Sequence, residues 1–565
     1  MIGPGWFDRA AALRRLADGH VDVLVVGGGV TGAGCALDAA ARGFRTGLVE
    51  RDDFGSGTSS KSSKLVHGGL RYLQQGELRL VYEALHERQR LTRNAPHLVK
   101  VLPFLIPMFT GRDGVLNPKL ARALGSAMWM YDLTGGARIG KLHERLSVDE
   151  ALAHMPTLPR ERLHSAYLYY DAQADDARLT LALARTAALE HGAAVANGTR
   201  LVGLDKDPSG RVRAARVEAD GEIVEVSCSA VVNATGVWAD EVRSIDEGQD
   251  PDSIRPAKGV HITVPWDLVR NDIAAVVPVP RDKRSVFVVP WGSSTYIGTT
   301  DTDHDGSLDD PLCTPEDVQY LLRAINFSTT GGITEADITG TWAGLRPLVK
   351  SAATGRTADL SRRHRVAPSA SGVVTITGGK LTTYREMAAD TVDAVAGYLG
   401  ERFDLRRGRS RTSRLPLRGA DGYESLKATT GEAGALAAHL ADRYGGEAHT
   451  LLAMVHTDPS LGDPLVPGLP YVRAEAVFAA RYEMARSVDD VLSRRTRARL
   501  LDAEASAAAA GDVAALIGPV LGLSAQEQTA QAEAYRRSVA RERATAGLPT
   551  AAGPADAALD QALGA

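Results

Sequence analysis

The sequence predicts an α/β fold with a parallel sheet at its start, an interleaved α+β region and a helical C-terminal part. Three observations support this prediction. The apolar run VDVLVV (21–26), a glycine cluster with an Ala-rich stretch, and RTGLVE ending at Glu50 follow the order strand, turn, helix, strand. Residues 255–300 are rich in strand-forming side chains. Past residue 400 the chain becomes Ala- and Leu-rich with helical periodicity.

Composition restricts the classes of function. The 565 residues are enough for several domains, and a net charge of −4 gives no global signal for nucleic acid. Cys35, Cys228 and Cys313 lie far apart, which excludes a zinc knuckle or a redox pair and fits a reducing cytoplasm. No apolar run approaches the ~20 residues of a membrane-spanning helix. A position on the membrane surface therefore stays open.

Further elements follow from local patterns. Helices are predicted over 77–92, 178–190 and 381–400, and Thr383 with Glu386 matches a capping box at the start of the last one. Buried strands are predicted at AVVNATG (230–236) and VVTIT (373–377), and the run from RSVFVVP to TYIGTT predicts a hairpin.

The first glycine cluster matches a dinucleotide fingerprint. Gly27, Gly29 and Gly32 satisfy G-x-G-x-x-G, in which the glycines make a tight turn, admit a pyrophosphate and let the helix pack on the strand. Glu50 ends the second strand, where a carboxylate can hold ribose hydroxyls, so NAD or FAD is favoured over NADP. A glycine-rich turn in another α/β fold is the alternative.

The segment TSSKSSKLVHGGLRYL (58–73) favours FAD over NAD. Small hydroxyl residues and free backbone N–H groups can approach a pyrophosphate, and glycines let the backbone pass a flat ring. Glycine turns at 233–236 and 378–380 fit a long cofactor lying across a sheet. A flexible Ser/Lys linker is the alternative for this segment.

These motifs carry a family resemblance. GGGVTGAG, TSSKSSKLVHGGLRYL, EALHERQRLTRNAPHL, NATGVW, KGVHI, GTTD, GLRPL and GGKLTTYR resemble, in this order, the FAD-dependent glycerol-3-phosphate dehydrogenases of the D-amino-acid-oxidase-like flavoprotein group. The resemblance covers roughly residues 20–400 closely. It implies oxidation of sn-glycerol 3-phosphate to dihydroxyacetone phosphate with FAD. Electrons would pass to membrane quinone from a peripheral position on the inner face of the cell membrane.

The resemblance implies three domains. A Rossmann-like FAD-binding domain is expected from 20–95, 145–245 and 350–400, and an interleaved α+β substrate domain from 96–144 and 246–349. A helical domain is expected at 410–540 and a loose tail at 545–565.

The resemblance also assigns residues to the cofactor. It places Ser59, Ser60, Lys64 and Leu65 along FAD, with Gly68 and Gly69 beside the flavin ring. The full expected set is Gly27, Gly29, Gly32, Glu50, Thr58, Ser59, Ser60, Lys64, Leu65, Gly68, Gly69, Val202, Gly236, Thr300, Asp301, Gly379, Lys380, Leu381 and Thr382.

Substrate phosphate is expected to meet arginine forks. The expected substrate ligands are Arg71, Tyr72, Lys258, His261, Arg346, Arg362 and Lys380. His261 is the candidate base, Arg346 the electrostatic stabiliser, and Lys380 a positive charge beside the flavin. A packed structural histidine is the alternative for His261. A solvated basic turn is the alternative at 362–365, where the choice among Arg362, Arg363 and Arg365 stays open.

Residues 101–109 and 116–131 are candidate membrane-facing segments, with packing in the protein core as the alternative. A homodimer is possible, no metal site is expected, and the role of the helical domain stays open. The competing functions are a glycerol-3-phosphate oxidase that uses oxygen, an amino-acid oxidase, and a non-catalytic nucleotide-binding scaffold.

Overall fold

The computed structural model describes residues 7–69, 78–110, 142–282, 284–350, 364–428 and 432–549. Its strands are β1 (His20–Val26), β2 (Thr46–Val49), β3 (Leu65–Val66), β4 (Val99–Phe109), β5 (Glu144–Leu146), β6 (Leu163–Ala174), β7 (Ala194–Ala196), β8 (Thr199–Lys206), β9 (Val212–Ala219), β10 (Glu222–Asn233), β11 (Ile254–Pro265), β12 (Ala274–Pro278), β13 (Ser285–Trp291), β14 (Ser294–Gly298), β15 (Thr302–Asp303), β16 (Gly340–Val349), β17 (Arg365–Pro368) and β18 (Val373–Thr377).

The helices follow the same chain order. They are α1 (Arg9–Asp18), α2 (Val30–Ala41), α3 (Leu78–Asn94), α4 (Val148–His154), α5 (Asp176–Leu189), α6 (Ala239–Glu247), α7 (Pro315–Ser328), α8 (Tyr384–Phe403), α9 (Tyr423–Lys427), α10 (Glu432–Tyr444), α11 (Ala448–Thr457), α12 (Arg473–Tyr482), α13 (Ala498–Leu501), α14 (Ala503–Ala508), α15 (Ala510–Leu521) and α16 (Ala525–Thr545). Short 3₁₀ turns at Thr58–Ser60, Gly236–Trp238 and Leu381–Thr383 border the site described below.

The first sheet is the predicted parallel one. Its order is β17-β18-β10-β1-β2-β7, with β8 and β9 attached beside β10. β1 pairs in parallel with both β2 and β10, and β18 pairs in parallel with β10. Because β1 is buried on both sides, it is almost continuously apolar, as the run VDVLVV predicted.

Alternation along β1 divides the first domain into two cores. Val23 and Val25 face the layer of α2, α5 and α8, where small residues of α2 such as Ala36 allow close packing. Leu24 and Val26 face the opposite side, which α1, α6 and the β8–β9 pair cover. The sheet is therefore a buried middle layer, as in other doubly wound folds.

The second sheet has the order β15-β11-β14-β13-β12-β4-β6-β3, with β16 on β11 and β5 on β6. The predicted hairpin is present as β13 and β14. Helix α7 packs on this sheet through Leu321 and Leu322. The predicted domain boundaries need correction, because residues 65–66, 144–146 and 163–174 form strands of this second sheet rather than of the first.

The C-terminal part is helical from α9 to α16 and has apolar cores of its own. A π-helical segment, Asp490–Arg495, lies between α12 and α13. The predicted domain end at 540 is too early, since α16 continues to Thr545. Ala546 and Leu548 then pack into the core of the second sheet, so the expected tail is anchored there at its start.

One local prediction is corrected. Helix α8 begins after a 3₁₀ turn, and the side chain of Thr383 makes no cap hydrogen bond to it, so the predicted capping box is absent. Residues 101–109 lie within β4 and pair with β6. The other candidate membrane segment, 116–131, lies outside the described residues. Within the described ranges, no helix combines the length and apolar character needed to span a membrane.

Leu48 tests the buried middle layer. It is fully buried in β2 between β1 and β7. We expect Leu48→Ala to reduce the free energy of unfolding of the FAD-loaded protein by about 2–5 kcal/mol, measured by chemical denaturation, because it opens a cavity in a rigid layer. Ile223→Ala is the control: it removes a 58% exposed side chain of β10 and should change the free energy of unfolding by less than about 0.5 kcal/mol. Equal losses would contradict the assigned burial.

Candidate functional site: a dinucleotide cavity and an adjoining arginine cluster

A long cavity of about 740 Å³ lies at the carboxyl ends of the parallel strands. In α/β sheets this edge is where ligands bind. The strands that precede these residues lie in the order β7-β2-β1-β10-β18, so Glu50 and residues 199–201 line one end of the cavity, the turn at 27–31 its middle, and Gly378–Leu381 its other end. The cavity therefore joins segments that are separated widely in sequence.

The turn between β1 and α2 is as tight as the fingerprint predicted. Gly27 has φ +106°, and a Cβ on it would lie 2.7 Å from the carbonyl oxygen of Ala234. A Cβ on Gly32 would lie 1.8 Å from the carbonyl oxygen of Gly27. These contacts require glycine, and they bring the N-terminus of α2, which begins at Val30 after Gly29, to the cavity wall. Backbone N–H groups at such a helix start bind phosphate.

Glu50 occupies the position expected for a ribose ligand. Its carboxylate accepts hydrogen bonds from the backbone N–H groups of Gly28 (2.6 Å) and Asp52 (2.9 Å). Burial nevertheless raises the pKa of Glu50 to about 7, since desolvation outweighs these two bonds. The group is held in a fixed orientation at the cavity wall.

The segment at 58–69 serves the cavity only in part. Thr58 and Ser59 line it. The Thr58 hydroxyl donates to the carbonyl of Leu345 (2.6 Å), and Ser59 Oγ accepts from the N–H of Val30 (2.9 Å). The 3₁₀ turn thereby ties the start of α2 to β16 of the second sheet.

Lys64 and Ser60 turn away from this cavity. The Lys64 ammonium lies 3.2 Å from Asp176 Oδ2 and 3.1 Å from the carbonyl oxygen of Ser60, and 4.7 Å from the ring centre of Trp342. Burial and the neighbouring Arg497 lower the pKa of Lys64 to about 7. Lys64 is thus a buried partner of Asp176, and neither Lys64 nor Ser60 is among the residues that line the cavity, so their place along FAD stays a prediction.

The remaining residues of the segment lie nearer the far end. Leu65 is buried in β3 opposite Gln173. The N–H of His67 donates to the Thr382 hydroxyl (3.1 Å), and that hydroxyl donates to the His67 carbonyl (3.3 Å). The loop that contains Gly68 and Gly69 is thus fastened beside the turn at Leu381–Thr383.

The far end of the cavity is lined by backbone. Gly378 and Gly379 have φ +76° and +80°, and a Cβ on Gly379 would lie 2.2 Å from Met387 Sδ. Lys380 and Leu381 follow, and both line the cavity. A glycine-rich wall of this kind lets the backbone approach a flat ring closely.

A cluster around Arg346 adjoins this end. Arg346 donates to Asp301 Oδ1 (3.2 Å), to the Thr299 hydroxyl (3.3 Å) and to the Thr300 carbonyl (3.3 Å). A Cβ on Gly259 would lie 2.6 Å from Arg346 Nη2, so glycine makes room for the guanidinium. The next residue in the chain, Pro347, lines the cavity. Thr300 itself is buried and accepts from the N–H of Val260 (3.0 Å).

His261 belongs to the same cluster and is neutral. Its Nε2 lies 2.9 Å from Ser63 Oγ, and its ring stacks on Trp342 with ring centres 4.7 Å apart. Burial, Lys64 and Arg346 hold the pKa of His261 well below its usual value. Its Nδ1 is buried and has no hydrogen-bond partner among the described residues.

Lys258 is corrected as a substrate ligand. It lies three residues before His261 on β11, so the two side chains point to opposite faces. Its ammonium is 2.6 Å from Asp317 Oδ2 of α7, on the far side of the sheet from His261. Val202 is 37% exposed next to Arg200 and Leu201, which line the cavity, and its contact with the cofactor stays a prediction.

Gly236 lines the cavity as expected, and beside it sequence reasoning missed a stacked pair. The Arg51 guanidinium lies 4.3 Å from the ring centre of Trp238, and Trp238 Nε1 donates to Asp309 (3.0 Å). The signals were present as the basic residue after Glu50 and the tryptophan after NATGV. Arg71, Tyr72 and Arg362, three of the expected substrate ligands, lie outside the described residues.

The residues present fit FAD. The cavity offers a carboxylate at one end, a glycine turn with a helix N-terminus in the middle and a glycine-lined wall at the other end. These features match a ribose, a pyrophosphate and a flat ring in sequence along one molecule. The geometry thus defines a dinucleotide-dependent oxidoreductase with a flavin.

Comparisons with known proteins agree. A family model described as FAD dependent oxidoreductase matches residues 22–385, and one described as the C-terminal domain of alpha-glycerophosphate oxidase matches residues 410–528. The chain is 42% identical over 551 residues to a protein of Mycobacterium tuberculosis named glycerol-3-phosphate dehydrogenase 2, covering 96% of this chain and 91% of that one. The chain belongs to the FAD-dependent glycerol-3-phosphate dehydrogenase family, and its cofactor is FAD.

Two more relatives support this placement. The human mitochondrial glycerol-3-phosphate dehydrogenase is 38% identical, with 91% of this chain and 72% of that protein covered. The structure of a glycerol-3-phosphate dehydrogenase from Bacillus halodurans, complexed with FAD, superposes with a TM-score of 0.74 at 27% identity, covering 98% of this chain and 100% of that one.

Gly27 tests the FAD cavity. We expect Gly27→Ala to raise the dissociation constant for FAD at least tenfold, about 1.4 kcal/mol, because the new methyl meets the Ala234 carbonyl and the φ value is strained. The measurement is flavin fluorescence titration with the bound flavin-to-protein ratio. Gly192→Ala is the matched control, since Gly192 also has positive φ but nothing lies within 4 Å of its Cβ position. Equal FAD affinity in both variants would contradict the assignment.

Proposed function

We propose that this protein oxidises sn-glycerol 3-phosphate to dihydroxyacetone phosphate with FAD and passes the electrons to a membrane quinone. The observation that carries the proposal is the 42% identity to a glycerol-3-phosphate dehydrogenase across 96% of the chain. The match spans nearly the whole chain, so it extends over the parts that form the cavity, the Arg346 cluster and the helical domain. A peripheral position on the cytoplasmic face of the membrane belongs to the same proposal.

The reaction removes a hydride from C2 and a proton from the C2 hydroxyl, which leaves the carbonyl of dihydroxyacetone phosphate. FAD, when bound, supplies the acceptor for the hydride. The protein supplies orientation and charge. Arg346, steered by Asp301, offers its guanidinium to the substrate, and Lys380 adds positive charge at the cavity end. Arg71, Tyr72 and Arg362 remain proposed partners of the phosphate.

His261 is the proposed proton acceptor. Its depressed pKa keeps the imidazole neutral, which a base requires, and its buried Nδ1 has no hydrogen-bond partner among the described residues. The depression comes from burial and from two cations, Lys64 and Arg346. A phosphate dianion bound beside Arg346 would offset these cations and raise the pKa of His261, so substrate binding itself would strengthen the base.

Oxygen is the second candidate for the acceptor. The helical domain matches a family model described as the C-terminal domain of alpha-glycerophosphate oxidase. An oxidase would release hydrogen peroxide, whereas a dehydrogenase reoxidises with quinone. The FAD cavity and the Arg346 cluster serve both reactions equally.

Anaerobic bleaching of the bound flavin tests the proposal. We expect glycerol 3-phosphate to bleach the flavin absorption within one turnover, while glycerol, which lacks the phosphate, does not at equal concentration. Reoxidation should be at least tenfold faster with a soluble quinone analogue than with air-saturated buffer. No bleaching would overturn the substrate assignment, and faster reoxidation by oxygen with peroxide release would establish the oxidase.

His261→Gln tests the base. We expect flavin reduction by glycerol 3-phosphate to slow by about 10²–10⁴-fold, the usual contribution of a general base, with FAD affinity unchanged. Stopped-flow absorption from pH 5.5 to 9 provides the rates. Because the free-enzyme pKa lies well below 6.5, the wild-type rate constant at low substrate should show no inflection from this group near pH 6.5. A variant rate equal to wild type at every pH would reject His261 as base.

A further inference from the structure

Three arginines of the helical domain reach into the FAD-binding domain. They are Arg494 and Arg495, which end the π-helical segment, and Arg497, which follows it. Arg495 and Arg497 are essentially fully buried, and Arg494 nearly so. All three form bonds with residues of the first domain that lie directly behind the cofactor cavity.

Arg494 and Arg495 share Asp53. Arg495 forms a two-pronged pair with its carboxylate (2.7 and 2.8 Å), and Arg494 Nε adds a bond of 2.6 Å. Burial would raise the pKa of Asp53, but the two guanidinium groups outweigh it and lower that pKa to about 2. Asp53 therefore stays ionised and fixed three residues after Glu50, on the same segment that lines the cavity through Arg51 and Asp52.

Arg497 holds the other end of this segment. Its Nη2 donates to the carbonyl oxygen of Ser60 (2.5 Å) and to Asp176 Oδ1 (2.8 Å). Ser60 closes the 3₁₀ turn whose Thr58 and Ser59 line the cavity. Asp176 in turn binds the N–H and hydroxyl of Ser62.

The segment from Glu50 to Ser60 has its own attachments inside the first domain. Gly55 donates to the Gly28 carbonyl (3.0 Å), and Ser59 Oγ accepts from Val30. These bonds join the segment to the dinucleotide turn. A change in the position of Asp53 or Ser60 is therefore transmitted to the residues that would face ribose and pyrophosphate.

We propose that the helical domain is a positioning element for FAD: Arg494, Arg495 and Arg497 clamp the segment 50–60 at both ends and hold it in the cofactor-binding conformation. The arginines touch neither the cavity wall at Glu50 nor Ser59 directly, so they act through Asp53 and Ser60. The inference rests on the FAD cavity and not on the substrate or the electron acceptor.

Arg497→Lys tests the clamp. Lysine keeps the charge but has a single nitrogen, so it cannot replace both the bond of Nη1 to the Ser493 carbonyl and the bonds of Nη2 to Ser60 and Asp176. We expect FAD release from the diluted holoenzyme, followed by the rise in flavin fluorescence, to accelerate at least tenfold. Arg499→Lys is the control from the same part of the chain: Arg499 is 12% exposed, against 1% for Arg497, and it pairs with Asp489 and Glu542 of the helical domain itself. Its FAD release should stay within twofold of wild type.

Thermal unfolding of both variants separates positioning from general stability. The clamp predicts faster FAD release in Arg497→Lys than in Arg499→Lys even where their unfolding midpoints fall equally. The proposal is overturned if Arg497→Lys releases FAD at the wild-type rate, or if FAD release accelerates equally in both variants.

Hydrogen exchange of the wild-type holoenzyme keeps the proposal testable if Arg497→Lys fails to fold. Across a series of low denaturant concentrations, amides of 50–60 should lose protection together with those of 490–501, and FAD should leave in the same step. Opening of 490–501 while 50–60 stays protected and FAD stays bound overturns it.

Discussion

The parallel pairing of β1 with β2 and β10 is the constraint on which the site depends. Its register sets Val26 beside Val49 and beside Asn233, so the residues that follow, Gly27, Glu50 and Ala234, emerge at one edge. The close approach of Gly27 to the Ala234 carbonyl is a consequence of this register, as is the bond from Gly28 to Glu50. Since β18 joins the same edge through β10, the glycines at 378 and 379 reach the far end of the same cavity.

Buried charged side chains hold the segment after β2, which the sheet alone does not fix. The segment after β2 has little regular structure of its own, and arginines of the helical domain hold the Asp53 carboxylate near one end and the Ser60 backbone carbonyl at the other. Pairs of this kind add little net stability when desolvation is counted, but breaking one leaves an uncompensated buried charge. Their geometry is directional, because a guanidinium fork fits a carboxylate in one plane. Such contacts select one conformation of the segment and add little to the free energy of folding. This property suits a loop that binds a cofactor.

The sequence could predict the parts of the fold that local chemistry determines. The glycine turn and Glu50 follow from a short strand–turn–helix pattern, and the hairpin of β13 and β14 from its turn residues. The sequence did not show that Lys64 would bind Asp176, 112 residues away, or that Ser60 would bind Arg497, 437 residues away. Residues 163–174, expected within the FAD-binding domain, instead form β6 of the second sheet, because they pair with β4, which is distant in the chain. Lys258 differs from these residues because the sequence alone placed it: it lies three residues before His261 in one strand, so the two side chains point to opposite faces of the sheet.

Lys258 and His261 lie on opposite faces of β11, and this affects the charge around His261. Lys258 is neutralised by Asp317 on one side of the sheet, which leaves Arg346 and Lys64 as the cations that lower the pKa of His261 on the other. The Trp342 ring stacks on the imidazole, and its centre lies 4.7 Å from the Lys64 ammonium, so Lys64 is close enough to act on His261 through space. A site formed by a neutral imidazole and a guanidinium disfavours binding of a cation and favours binding of a dianion. The same pair of cations that lowers the pKa of His261 in the free protein would therefore favour binding of the proposed phosphate, whose charge would raise that pKa again.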